Sequence, residues 1–200
     1  MAMRALIPLG LMSVLVLAPL GAGPASGLSA GVLTITTSPA GLGALTPGSD
    51  NTSLALGAIT ITDTLADPTP TAWVASVAAS ACAPAVSPSG QWANLNLSNA
   101  SVPPTALTFH PGPITTLTAS GTQEVAPVAS ASFSFGALAG TYSPPAVIAT
   151  GPASSAQPPS AGTLDNNGVF SQTAALDIDL TATPTLGVTY DCTLQYTLTG

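Results

Sequence analysis

Nearly every segment of this 200-residue chain alternates apolar residues with hydroxyl or other small polar residues at a period of two. That is the spacing of a half-buried strand, because successive side chains of an extended chain point to opposite faces, and it does not fit the 3.6-residue stripe of an amphipathic helix. Leu33 and Ile35 face one way with Thr34 and Thr36 opposite, Ile59 and Ile61 stand against Thr60 and Thr62, and Trp73, Ala75 and Val77 stand against Val74 and Ser76. Further strands are predicted around Trp92 to Leu97, Leu107 to Phe109, Ile114 to Thr118 and Phe133 to Phe135. The clearest two close the chain. Ala174, Leu176, Ile178 and Leu180 alternate with Asp177 and Asp179, and then Val188, Tyr190, Cys192, Leu194, Tyr196 and Leu198 share one face.

Turn formers separate these runs, among them Ser38-Pro39-Ala40-Gly41, Thr46-Pro47-Gly48-Ser49-Asp50, Pro111-Gly112-Pro113 and Asp165-Asn166-Asn167-Gly168. Short strands between frequent turns predict an all-β fold, an antiparallel β-sandwich of Greek-key or immunoglobulin-like type. One such domain over residues 28–200 accounts for the length. The Pro/Ala/Ser-rich stretch 143–162 has little to bury beyond Val147 and Ile148, and is predicted to be a long loop with room for a short edge strand.

Residues 1–27 have the pattern of a signal peptide: Arg4 supplies the positive n-region, Leu6 to Leu20 the apolar core, and Ala25, Ser26 and Gly27 the small residues before cleavage. A retained membrane anchor is the competing reading. It is disfavoured because the apolar core is short and broken by Pro8, Gly10 and Pro19. The expected localisation is secreted, either extracellular or associated with the cell wall.

Export gives meaning to the two cysteines, since an oxidising compartment favours a bridge over free thiols. Cys82–Cys192 is the one intramolecular pairing available. It closes a loop whose chain-entropy contribution is about 4 to 5 kcal/mol.

Arg4 is the only basic residue apart from His110, against eight carboxylates, for a formal net charge of −7. Nucleic-acid backbones are neutralised by Lys and Arg, and phosphate or carboxylate substrates are clamped by the same groups, so the processed chain is unsuited to these partners. No cofactor or metal is expected: two sulfurs and one distant histidine do not make a metal site, and neither cysteine has a fixed cation to activate it.

Residues able to carry other chemistry are few. A Ser-His-Asp arrangement would have to use His110, in Phe109-His110-Pro111-Gly112 at a strand-to-turn junction, and no Gly-x-Ser-x-Gly elbow accompanies it. Asp177 and Asp179 lie about 7 Å apart on the outward face of one strand. A glycosidase or a calcium ion could use such a pair, although a solvated face that opposes edge pairing is the simpler reading. Thr34/Thr36 and Thr60/Thr62/Thr64 raise the question of an ice-ordering hydroxyl array, but ice binding needs rungs stacked at a regular repeat, these are scattered, and they read as ordinary strand threonines. Three sequons, at Asn51, Asn96 and Asn99, decide nothing without the host. Trp73 reads as a core anchor and Trp92, following a turn, as a candidate glycan-stacking ring.

The segment Tyr190-Asp191-Cys192-Thr193-Leu194-Gln195-Tyr196-Thr197-Leu198 resembles the closing motif of the WxL domain of Gram-positive surface proteins, Y-x-x-x-[LIV]-T-W-x-L, with Tyr190, Leu194 and Leu198 matching and Tyr196 standing for the tryptophan. Upstream, Ile59-Thr60-Ile61-Thr62-Asp63-Thr64 followed by Trp73-Val74-Ala75-Ser76-Val77 is similar to that family's first Trp region, with Ala75 in place of the leucine. The resemblance implies a secreted β-sandwich held non-covalently at the wall through peptidoglycan, with Trp73 and Tyr196 as the family-matched binding positions. The expectation is therefore a non-enzymatic cell-envelope protein. The competing readings are a structural or self-assembling surface protein and a carboxylate-dependent polysaccharide hydrolase using Asp177 and Asp179.

Overall fold

The structure is a computed structural model that describes residues 33–38, 42, 45–46, 48–63, 72–84, 101–119, 126–151, 168–181 and 190–200. The predicted signal peptide, the predicted strand at Trp92 to Leu97 and the stretch 152–162 lie outside the described residues, as do Thr64, Trp92, Asn96 and Asn99. All pairing among the described strands is antiparallel, as the alternation demands, and the class is all-β.

The first sheet has six strands, in the order β1 (Leu33–Thr37), β2 (Asp50–Asp63), β10 (Gly168–Asp179), β5 (Leu107–His110) and β8 (Phe133–Ser134), with β6 (Ile114–Ala119) also on β10. Its organising element is β10, 12 residues with a strict alternation of buried and outward positions. One edge of β10 runs along β2; the other is shared, with Ala175 to Ile178 on β5 and Gly168 to Gln172 on β6. β5 and β6 are one strand interrupted at Pro111-Gly112-Pro113, where prolines remove ladder donors. Gly112 approaches the Thr173 carbonyl so closely that a Cβ there would collide with it.

The second sheet orders β12 (Leu194–Thr199), β3 (Val74–Ala79), β9 (Ala146–Thr150) and β7 (Val128–Ala129). β9 lies inside the stretch expected to be a loop, and it is an interior strand, flanked by β3 and β7, where the sequence suggested at most an edge. Its apolar run is short, and Ile148 and Ala149 are both buried because a register shift opposite Ala75 and Ser76 breaks the simple alternation.

β4 (Ala83–Pro84) and β11 (Tyr190–Asp191) extend the β3–β12 pair, and Cys82 and Cys192 continue their register directly opposite one another, joined by a disulfide. Both sulfurs belong to the core, with Cys82 1% and Cys192 4% exposed.

The inner faces of the two sheets contribute to one contiguous apolar cluster. Trp73 and Phe170 meet across it with ring centroids 6.0 Å apart, and Phe109, Phe133 and Phe135 form a second aromatic group. The backbone of Gly151 lies against the Trp73 indole where no Cβ would fit, and its N–H donates to the Trp73 carbonyl at 2.9 Å. Gln172 is the polar member of the β10 inner row. It is 1% exposed, and its Nε2 donates to the Gly112 carbonyl at 3.0 Å and to the Ile148 carbonyl at 3.4 Å, tying the β5–β6 break to the opposite sheet.

Candidate functional site

His110, Asp177, Asp179 and several hydroxyl side chains gather on the outer face of the first sheet, where β2, β10, β5 and β8 lie side by side, while the Asp63 carboxyl is buried in the inner row of β2. Strand pairing sets Thr108 opposite Asp177 on one side and Ser134 on the other, while His110 lies opposite Ala175, so His110 and Asp177 are diagonal neighbours on one face. His110 Nδ1 is 2.8 Å from Ser132 Oγ, and Thr108 Oγ1 is 2.9 Å from Ser134 Oγ. His110 Nε2 is 2.8 Å from Asp177 Oδ2, with the carboxylate oxygen off the ring N–H direction, so the two groups are in close contact without an aligned hydrogen bond. A ring protonated at Nε2 and accepting at Nδ1 from the Ser132 hydroxyl fits both contacts.

Asp177 has a second partner. The β2–β10 ladder slips between Leu176 and Ile178, leaving an additional β2 residue, and Ser53 in that bulge adopts φ 56°. Its N–H, freed from the ladder, donates to Asp177 Oδ1 at 2.7 Å. Desolvation raises the Asp177 pKa, but the Ser53 N–H, the His110 hydrogen-bonding contact and the His110 charge together outweigh it and hold the carboxyl below its usual range.

Asp179 takes a separate role. Its Oδ1 accepts the Thr181 N–H at 2.8 Å and also the Thr181 hydroxyl, an Asx-type turn that ends β10 and lowers this carboxyl too. The two aspartates thus share a face but not a site. Glycoside hydrolysis needs one carboxyl kept protonated as general acid, and both of these favour the ionised form. Among the described residues no group of three or more His, Cys, Asp or Glu side chains converges to hold a metal.

The rings matched to the WxL motif lie elsewhere, in the core. Trp73 is 1% and Tyr196 5% exposed, so both are inner-row residues of the second sheet and neither presents a face to a ligand; burial also pushes the Tyr196 phenol pKa up. Their position follows from the alternation itself, which places each in an apolar row. The Asn51 sequon is occupied locally: Asn51 Nδ2 donates to the Thr46 and Ser49 carbonyls, each at 3.1 Å, while Oδ1 accepts the Thr46 N–H at 2.7 Å. Ser132 and Ser53 are the site residues that sequence reasoning missed, because serines are too frequent to single out and the bulge depends on long-range register. Comparison with protein-family models, with curated proteins and with solved structures returns no match for this chain.

Proposed function

We propose that this chain is a non-enzymatic protein exported to the cell envelope, where it associates with peptidoglycan or another wall polymer without a covalent link. The observation that carries the reading is the Cys82–Cys192 bridge, which uses both cysteines of the chain inside the core and requires an oxidising compartment to form. The two segments similar to the WxL domain lend support: β3, which follows Trp73, and β12, which contains Tyr196, are hydrogen-bonded neighbours. With Trp73 and Tyr196 in the core, wall contact falls to the outer faces of the sheets.

An acidic protein and acidic wall polymers repel, so salt strengthens their association by screening. Sedimentation of the purified protein with isolated walls at low and high salt tests this. Retention that grows with salt supports the reading, and failure to sediment at either salt contradicts it.

The line Asp177–His110–Ser132 favours a second reading, a serine hydrolase in which His110 Nδ1 takes the Ser132 proton. It ranks behind the first because Asp177 is also committed to the Ser53 bulge and does not align with the ring N–H. Covalent labelling of Ser132 by a fluorophosphonate probe, lost in His110→Ala, would reverse that order.

A further inference from the structure

Going beyond the wall-binding reading, we infer that the outer face of the first sheet is a lattice-matched surface that binds ice. The threonine pairs that are scattered along the sequence are brought side by side by the strand register. Thr34 stands opposite Thr62 and Thr36 opposite Thr60 on β1 and β2. β10 and β6 extend the two rows: Thr62 is followed by Val169 and Thr118, and Thr60 by Ser171 and Thr115. Two parallel rows therefore cross β1, β2 and β10 at a regular two-residue step, and Thr118 and Thr115 continue them onto β6, where a bulge opposite Val169 and Phe170 sets these two threonines three residues apart and ends the regular spacing.

The spacing comes from the sheet. Adjacent strands lie about 4.7–4.9 Å apart and alternate residues of one strand about 6.6–6.8 Å apart. A rectangle with these sides is close to the repeat of the prism face of hexagonal ice. Adjacent strands twist by about 20–25° and the twist accumulates across a sheet, so the match is best within a pair of neighbouring strands, as in the β1–β2 rectangle of Thr34, Thr36, Thr60 and Thr62.

The side chains are available for such a role. Thr36, Thr115 and Thr118 are exposed, and Thr34, Thr60, Thr62, Val169 and Ser171 are partly so, as outward residues flanked by neighbours must be. No charged side chain belongs to either row; the charged corner of Asp177 and His110 lies further along the sheet, beyond Thr173 and Ala175. Threonine suits an ice surface because its methyl group fills the gaps of the lattice while its hydroxyl holds a water at a lattice position. A soluble glycan, by contrast, is usually met by aromatic platforms, and these rows contain none.

The test is incorporation into ice. A hemisphere of ice is grown slowly from a solution of the purified, disulfide-bonded chain, and protein in the ice and in the remaining liquid is measured, together with recrystallisation of a frozen film. The variants are Thr60→Tyr and Thr36→Tyr in the array, and Thr197→Tyr on the exposed face of β12 in the other sheet. The wild type and Thr197→Tyr should enter the ice and slow recrystallisation, and both should be lost in Thr60→Tyr and Thr36→Tyr while the far-ultraviolet circular dichroism is unchanged. Should Thr60→Tyr not fold, Thr36, exposed on an edge strand, carries the comparison. Exclusion of the wild type from ice overturns the inference, as does equal incorporation of the array variants.

Discussion

Asp177 and Ser53 are joined by a 2.7 Å hydrogen bond from the Ser53 N–H to the carboxylate, across a bulge that gives Ser53 the left-handed backbone conformation. A bulge strands a backbone donor, and here a side chain of the facing strand receives it. Replacing Asp177 with Ala removes the acceptor of that N–H and the His110 contact at a solvent-accessible site, so the loss should be about 0.5–1.5 kcal/mol. Ser53→Gly should act in the other direction, because glycine adopts positive φ without steric cost, with a gain of about 0.5–1 kcal/mol. Urea unfolding of the two variants beside the wild type measures both.

The same bond has a pH signature. The folded Asp177 carboxyl titrates below its ordinary value of 3.8 because of the Ser53 N–H and His110, against the opposing effect of desolvation. Its contribution to stability is complete above the unfolded pKa and is lost as pH falls through the folded one. Stability should therefore decline on acidification below about pH 4, and the decline should be shallower in Asp177→Asn. Since the Asp177 side chain keeps 24% exposure, solvent screens the interaction and the difference between the two profiles should be modest.

Gly151 has no room for a side chain, since a Cβ would enter the Trp73 indole. Gly151→Ala should destabilise by about 3 kcal/mol through overpacking, and the Trp73 emission should shift to the red as the ring loses its packing. Emission unchanged from the wild type would show that the indole is not enclosed as described.

The strand alternation was legible because it is local: in the rows Trp73/Ala75/Val77, Ala174/Leu176/Ile178 and Leu194/Tyr196 the apolar residues are buried, as their period requires. What could not be read depends on register. Thr34 and Thr62 are neighbours only because β1 turns back along β2, and Ser132 meets His110 only because β8 pairs with β5. The interior position of Ala146–Thr150 was not legible because its surroundings are rich in Pro, Ala and Ser and its burial comes from two flanking strands. Gln172 was hidden in an otherwise apolar row. Its Nε2 is accommodated in the core because Gly112 and Ile148 supply carbonyls to it, while its buried Oε1 has no hydrogen-bond partner.

The disulfide lies within the ladder that joins β3–β4 to β11–β12, between cysteines 110 positions apart in sequence. Replacing both with Ala should cost about 4 to 5 kcal/mol by the chain-entropy estimate, read as a lower midpoint in guanidinium unfolding.

The antiparallel sheets are clamped by a disulfide between Cys82 and Cys192. Purified protein, unfolded in guanidinium without reductant and treated with a maleimide, tests this clamp by mass. No adduct should form until reductant is added, after which both cysteines are labelled; labelling before reduction would overturn it.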